Sequence, residues 1–101
     1  MISQIRDFKG VWIPKEIWLD DELTMLDKVI LVEINSLDNG STGCYASNEY
    51  LSNFCNCSVS KVSESISKLK KLGYLELIKT DGRHRYLRSR LLKNRRQTTK
   101  K

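Results

Sequence analysis

Apolar residues recur at helical intervals in the segment SVSKVSESISKLKKLG, residues 58–73. Val62, Ile66 and Leu69 follow at steps of four and three, the spacing of one buried stripe on an α-helix. Ser58 can cap the first turn, and Gly73 can adopt the left-handed conformation that ends many helices. The pattern therefore predicts a helix over 58–72. Its opposite face carries small or charged side chains: Ser60, Glu64, Ser67 and Lys71.

Two further helices are predicted upstream. Leu23–Leu37 is apolar around most of its circumference, which is typical of a central, buried helix. Thr24, followed three residues later by Asp27, approximates a capping box. A shorter helix is predicted from Asn48 to about Phe54, and the three residues 55–57 form a turn before the helix over 58–72. A short helix, a tight turn and a longer helix with a polar outer face are the parts of a helix-turn-helix.

The period changes to that of a strand after Gly73. Tyr74–Ile78 and Arg83–Arg88 read as two strands, joined at Asp81-Gly82, a dipeptide that supplies the positive φ of a tight turn. A two-stranded hairpin is marginal alone, so we expect a third strand from Cys44–Ala46. The fold class predicted is α+β, mainly α with a small β-sheet: a three-helix core followed by a C-terminal β-hairpin wing over 74–88.

The segment before these helices, GVWIPKEIWLD at residues 10–20, is dense in large apolar groups. Pro14 suits the first turn of a short helix because it lacks the amide that would be unsatisfied there. Trp12 and Trp18 are predicted to be core anchors. A base-stacking role is disfavoured because the neighbouring charges are acidic and would repel a nucleic-acid strand.

The length of 101 residues fits one domain. We expect an N-terminal lead-in segment over 1–9, a folded domain over 10–92 and a basic, disordered tail over 93–101. No apolar run approaches the ~20 residues that a membrane span needs, and no export-signal pattern opens the chain. The sequence therefore predicts a cytoplasmic, nucleoid-associated protein.

The positive charge is concentrated in the last third of the chain. Residues 68–101 contain 13 Lys or Arg against two carboxylates, a net charge of +11, whereas residues 1–67 contain five against ten, a net charge of −5. A solvated basic tail would explain the last lysines, but it explains less well the cations that lie within the hairpin. This distribution is typical of a surface that faces phosphates.

Catalytic and metal-binding motifs are not found in the sequence. Cys44, Cys55 and Cys57, with His84 as the one histidine, make a poor zinc set, and we expect reduced thiols that serve as small hydrophobes. There is no Gly-rich phosphate loop, no HExxH motif and no convincing pair of nucleophile and base. The sequence therefore predicts neither an enzyme nor a bound cofactor or metal.

The stretch CNCSVSKVSESISKLKKLGYLEL, residues 55–77, resembles the winged-helix pattern x-V-S-x-x-x-V-S-x-x-I-x-x-L-x-x-x-G-x-I. Cys57 stands where that pattern has a small aliphatic residue. Upstream, FKGVWIPKEIWLDDELTMLDKVILVEINSLDN and GCYASNEYLSNF are similar to the N-terminal DNA-binding domain of phage replisome organisers and of replication-initiation proteins of mobile elements. This resemblance covers Phe8 to Leu77, about two-thirds of the chain. Such relatives often carry a further C-terminal domain that recruits replication partners, so the chain would be a fragment or a small stand-alone protein.

The resemblance implies that the helix over 58–72 lies in the major groove of double-stranded DNA and that the wing contacts the backbone. Glu64 departs from the family pattern, in which Arg or Lys is common. It could accept a hydrogen bond from cytosine, or it could pair with Lys61 or Lys68 at helical spacing. The helix residues expected to contact DNA are Ser60, Lys61, Ser63, Glu64, Ser67, Lys68 and Lys71. Those of the wing are Lys79, Arg83, His84 and Arg85, with further non-specific affinity from Arg88, Arg90, Arg95 and Arg96.

Alternatives to replication initiation stay open at this point. The same fold occurs in transcriptional regulators, and some winged helices are protein–protein interaction modules. A module of that last kind would leave the +11 segment unexplained. Serines make few bidentate contacts with bases, so one subunit should discriminate modestly and a homodimer or an array would compensate. A replication protein is the other partner that the resemblance implies.

Overall fold

A computed structural model describes residues 10–38 and 42–90 of the chain. The predictions made for the lead-in segment 1–9 and for the basic tail 93–101, with Arg95 and Arg96, lie outside the described residues.

Within these described ranges, four helices are followed by an antiparallel hairpin, which confirms the predicted α+β winged helix-turn-helix architecture. No helix in the described ranges is long and apolar enough to cross a membrane. The short helix predicted after Pro14 is present, and the observed ends of the longer elements differ from the predicted ones by at most two residues. The elements are α1 (Lys15–Trp18), α2 (Met25–Leu37), α3 (Asn48–Cys55), α4 (Val59–Lys71), β1 (Leu75–Thr80) and β2 (Arg85–Ser89).

Side-chain caps start the three longer helices. Thr24 and Asp27 form both halves of the predicted capping box at the start of α2. The hydroxyls of Ser47 and Ser58 accept hydrogen bonds from backbone amides in the first turns of α3 and α4, at 3.0 and 3.2 Å. Asn56 ends α3 in the left-handed conformation, with φ 57°. Since asparagine tolerates this conformation better than most residues, it permits the tight turn into α4.

The core forms around α2, as its apolar sequence predicts. Ile30, Leu31 and Ile34 of this helix are fully buried. The stripe on α4 is buried as well, and Val62 and Leu69 have no exposed surface. Burial of such side chains contributes about 1.5–3 kcal/mol each. The hydrophobic pattern therefore fixes which face of α4 turns inward.

The wing consists of β1 and β2, with Leu77 opposite Leu87 and Lys79 opposite Tyr86. The register shift between Leu77 and Lys79 is a β-bulge at Ile78. The predicted third strand at 44–46 is reduced to one bridge, in which Cys44 and Leu87 exchange hydrogen bonds of 2.8 and 2.9 Å. Residues 44–46 are too few, and too soon followed by α3, to extend the ladder.

The prediction that both tryptophans anchor the core is wrong. Trp12 is 77% exposed and Trp18 is 50% exposed. Helix α1 is only one turn long, so it turns one narrow face inward, and Ile17 occupies it. The ammonium group of Lys28 lies 5.2 Å from the centre of a Trp18 ring, an arrangement typical of a cation–π contact.

The three cysteines behave as small hydrophobes in this structure. Cys44 is buried in the core, and Cys55 and Cys57 are half-buried against it. Burial raises the pKa of the Cys55 thiol to about 11. That thiol is therefore neutral at physiological pH.

Two buried carboxylates interrupt the apolar surface of α2, a feature that its hydrophobic pattern does not indicate. Asp27 accepts hydrogen bonds from the Ser65 hydroxyl at 2.6 Å and from the Thr24 amide at 2.9 Å, and it pairs with the Lys68 ammonium at 2.8 Å. Glu33 accepts a hydrogen bond from the Tyr50 hydroxyl at 2.8 Å. Since Ser65 and Lys68 belong to α4 and Tyr50 to α3, both parts of the helix-turn-helix are tied to α2 by directional bonds.

The donors around Asp27 decide its ionisation. Burial raises the pKa of this carboxyl, but the hydrogen bonds from Lys68, Ser65 and Thr24 outweigh that effect and hold the pKa below its usual value. The folded state therefore favours the charged carboxylate. The resulting stabilisation is complete above the ordinary aspartate pKa of about 3.9 and is lost as the pH falls through the lowered pKa.

Replacing Lys68 with methionine tests this link. The Lys68 side chain is 39% exposed, so solvent screening reduces the effect, and we expect the free energy of unfolding at pH 7 to fall by about 1–2 kcal/mol. Lys71 is exposed and lies three residues further along the same helix, so Lys71→Met is the matched control. This variant should change the free energy of unfolding by less than about 0.5 kcal/mol. Urea unfolding measures both. A loss at Lys68 that persisted below the pKa of Asp27 would assign the effect to packing instead of the ion pair.

Candidate nucleic-acid interface

The outer face of α4 presents six of the seven predicted helix contacts to solvent. Four lie opposite the buried stripe of Val62, Ile66 and Leu69, and Lys61 and Ser63 flank those four on either side. These exposed residues are Ser60, Lys61, Ser63, Glu64, Ser67 and Lys71. The structure therefore brings them together on one solvent-facing surface.

Lys68, the seventh, differs from the other six because its ammonium group pairs with buried Asp27. Its position on the polar side of the helix predicts exposure, but its partner lies 41 residues earlier, and no local spacing could indicate it. A role of Lys68 at the DNA stays a prediction. What the structure shows is that it supports α4 from the side of α2.

Glu64 forms no ion pair with Lys61 or Lys68 in the described part of the chain, so the proposed helical pairing is not found. Lys68 has taken Asp27 as its partner instead. The Glu64 side chain is exposed on the same surface as Ser60 and Lys61. Its carboxylate is therefore available to whatever docks there.

Three of the four predicted wing residues surround the turn at Asp81-Gly82. Lys79, Arg83 and His84 are exposed at this tip. The Asp81 amide donates to the His84 carbonyl at 3.0 Å and closes the hairpin. The hydrogen bond from the Tyr86 hydroxyl, with a second one from the His84 amide, holds the pKa of the Asp81 carboxyl below its usual value.

Arg85, the fourth wing residue, points back into the domain. Its guanidinium donates to the Ala46 carbonyl at 2.6 Å and to the side-chain oxygen of Asn48. Burial lowers the pKa of Arg85, although arginine stays charged at any physiological pH. These bonds join β2 to the start of α3, so the side chain braces the wing, and contact with DNA stays a prediction.

Two more arginines of the basic segment, residues 68–101, lie beside carboxylates within the domain. Arg88 lies 4.0 Å from the Asp38 carboxylate, and Arg90 pairs with Glu76 at 2.8 Å. Both pairs are partly exposed, and such pairs contribute little to stability. They do reduce the positive charge that these arginines present to a partner.

An aromatic cluster beside the wing tip was missed by the sequence reasoning. The ring centre of Tyr45 lies 5.5 Å from that of His84 and 5.9 Å from that of Tyr86. The Lys79 ammonium lies 4.9 Å from the Tyr86 ring centre. Alternation in β2 places Tyr86 on the face opposite buried Leu87, which could have been noticed, but the approach of Tyr45 depends on the Cys44–Leu87 bridge.

A metal centre is absent from the residues that the structure describes, in which no group of acidic, Cys or His side chains is arranged to hold an ion.

A family model described as a helix-turn-helix domain matches residues 21–75, which is more than half of the chain. The chain belongs to this family. No curated protein and no solved structure matches it. The helix-turn-helix domain spans α2, α3 and α4, and membership suggests DNA as the partner. The more specific resemblance to replication proteins stays a prediction.

The two neighbouring wing arginines should separate binding from stability in this helix-turn-helix domain. Arg83→Ala removes an exposed cation, so we expect weaker duplex binding, with a salt slope smaller by about 0.9, and an unchanged free energy of unfolding. Arg85→Ala removes the brace to α3 and should lower the free energy of unfolding by about 1–3 kcal/mol. Urea unfolding and duplex titration of both variants measure the difference. Equal losses of stability in the two variants would contradict the assignment of Arg85 as a brace.

Proposed function

We propose that this helix-turn-helix domain binds double-stranded DNA, with α4 in the major groove and the wing along the backbone. The observation that carries the proposal is the division of α4 into a buried apolar stripe and an exposed polar face. Because caps and a tight turn fix its N-terminal end, the residues nearest the bases would be those of its first two turns.

The exposed side chains suit contact with both bases and phosphates. Lys61 can donate to guanine or to a phosphate, whereas Ser60 and Ser63 can bond to several base edges. At the wing, Lys79 and Arg83 would reach a neighbouring stretch of backbone. Serine contacts discriminate weakly, so we further propose that a homodimer or an array on repeated sites supplies the remaining specificity.

The cellular role that we propose is the initiation of DNA replication in a phage or mobile element, with a replication protein as a second partner. This part of the proposal rests on the resemblance to the DNA-binding domains of replisome organisers that the sequence of residues 8–77 indicates. Transcriptional regulation through the same interface is the alternative. In either role the domain acts by binding and not by catalysis.

Titration of a mixed-sequence duplex at several salt concentrations tests the proposal. If Lys61, Lys71, Lys79 and Arg83 each meet a phosphate, log affinity should fall with log salt at a slope of about −3.6, and more steeply if the tail contributes. Lys61→Ala should reduce the slope by about 0.9. Lys15→Ala, an exposed lysine on α1, makes the same change of charge and should leave the slope unchanged.

Two outcomes would contradict the proposal of duplex binding through α4. One is no binding at low salt. The other is an equal effect of Lys61→Ala and Lys15→Ala, which would mean that net charge and not the α4 face governs binding. If the duplex is bound, selection of bound duplexes from a random pool identifies the preferred site. The symmetry of that site would show whether two copies bind together.

Glu64 should oppose binding to duplexes of arbitrary sequence. Its carboxylate is exposed on the proposed contact face without an ion-pair partner among the described residues, so phosphates repel it. We expect Glu64→Gln to tighten binding to a mixed-sequence duplex by roughly two- to five-fold. Glu22→Gln, an exposed carboxylate before α2, is the matched control and should have little effect. Weaker binding of Glu64→Gln to a selected site would instead indicate that the carboxylate accepts a hydrogen bond from cytosine.

A further inference from the structure

The wing carries a second surface, which we call the aromatic face and define as Tyr45, His84 and Tyr86 with Lys79 beside them. Its three rings lie within 5.5–6.3 Å of one another, centre to centre. The residues of this surface belong to the hairpin and to the segment before α3, whereas the outer face described above belongs to α4.

The backbone fixes the rings of the aromatic face and keeps them out of the core. The bridge of Cys44 to Leu87 turns the side chains of those two residues inward, and their neighbours Tyr45 and Tyr86 therefore lie on the opposite face. Tyr45 is 57% exposed, so its ring is accessible to a ligand from solvent. The hydroxyl of Tyr86 donates to Asp81 at 3.0 Å, which holds that ring in place.

Cations lie at the same surface. The bulge at Ile78 brings Lys79 opposite Tyr86, with its ammonium 4.9 Å from that ring centre. Arg83 is exposed in the adjoining turn and has no ion-pair partner in the described ranges. The Asp81 carboxylate, the one acidic group of the turn, is engaged by Tyr86 and by the His84 amide. The surface thus offers ring faces and positive charge together.

This combination matches one ligand chemistry. Exposed aromatic rings stack on nucleobases, and neighbouring cations contact the phosphates that link them. In a duplex the faces of the bases are covered by their neighbours, so ring stacking needs unpaired bases. Since Lys79 already occupies the Tyr86 ring, Tyr45 and His84 are the rings left for a base.

We propose that the aromatic face binds single-stranded nucleic acid, with an unpaired base stacked on Tyr45 and its phosphates held by Lys79 and Arg83. The stacking chemistry is common to DNA and RNA. This site goes beyond the duplex binding proposed for α4 and does not depend on the α4 face, although it shares Lys79 and Arg83 with the wing contacts proposed for duplex DNA. A protein with both sites would contact paired bases through α4 and unpaired bases through Tyr45.

The test uses the whole chain and labelled oligothymidine and oligouridine of about eight nucleotides, within the range that such surfaces cover. Affinities are measured by fluorescence anisotropy at one fixed salt concentration. Tyr45→Ala should weaken binding to the single strand by roughly 5- to 150-fold. Tyr45→Phe keeps the ring and should bind like the natural chain, whereas Tyr45→Leu keeps apolar bulk without a ring and should bind like Tyr45→Ala.

A mixed-sequence duplex, titrated with the same variants, separates this proposal from the preceding one. We expect the affinity for the duplex to change by less than about two-fold in Tyr45→Ala, Tyr45→Phe and Tyr45→Leu. Single-strand binding that is unchanged in Tyr45→Ala, or equally retained in Tyr45→Leu, would overturn the aromatic site and leave the duplex proposal intact. Equal losses on single strand and duplex would also overturn it, since the ring would then serve folding or duplex contact. Preference for thymidine or uridine oligomers would show which nucleic acid is the natural ligand.

Discussion

The Asp27 carboxylate is the contact on which the placement of α4 depends. An apolar stripe fixes which face of a helix turns inward, but apolar contacts are not directional and tolerate sliding or rotation. The three bonds to Asp27, from Thr24, Ser65 and Lys68, have preferred lengths and angles. Two of the donors, Ser65 and Lys68, belong to α4, so their bonds set the register of α4 against α2, whereas the bond from Thr24 caps α2 itself. Glu33 does the same for α3 through Tyr50.

The basic segment divides its cations between holding the fold and facing solvent. Lys68 pairs with Asp27 of α2, and Arg85 donates hydrogen bonds to Ala46 and to Asn48 at the start of α3. Arg88 and Arg90 lie beside the carboxylates of Asp38 and Glu76. Lys79 and Arg83 remain exposed at the wing tip, on a hairpin that Arg85 and the Cys44–Leu87 bridge hold against the core. The net charge of residues 68–101 therefore overstates what a phosphate backbone would meet, and the position of each cation matters more than the total.

Local signals were sufficient to predict the helices, their caps, the hairpin and its turn. Apolar spacing placed Val62, Ile66 and Leu69 inward, and the Thr24–Asp27 spacing gave the capping box.

The contacts that join distant segments could not be predicted this way. Asp27 was expected to cap a helix, and it does, but its second oxygen also binds α4. Large apolar rings beside acidic neighbours favour a core position for Trp12 and Trp18 over base stacking, but a single helical turn has room for one buried side chain, and Ile17 fills it. Arg85 and Tyr45 depend on how β2 meets the residues before α3, which no periodicity encodes.

The small side chains on the proposed reading face make the Asp27 link more consequential than it would be elsewhere. A lysine can follow a displaced phosphate by changing rotamers, because its stem is long and flexible. A serine hydroxyl lies one bond from Cβ and cannot, so Ser60, Ser63 and Ser67 can bond to a base only if the helix axis approaches closely and at one angle. Since hydrogen bonds weaken steeply as distance and angle depart from their optimum, a serine-based face needs a helix that is already fixed before DNA arrives. The buried carboxylate of α2 meets that need, because it holds α4 by bonds that do not involve the outer face.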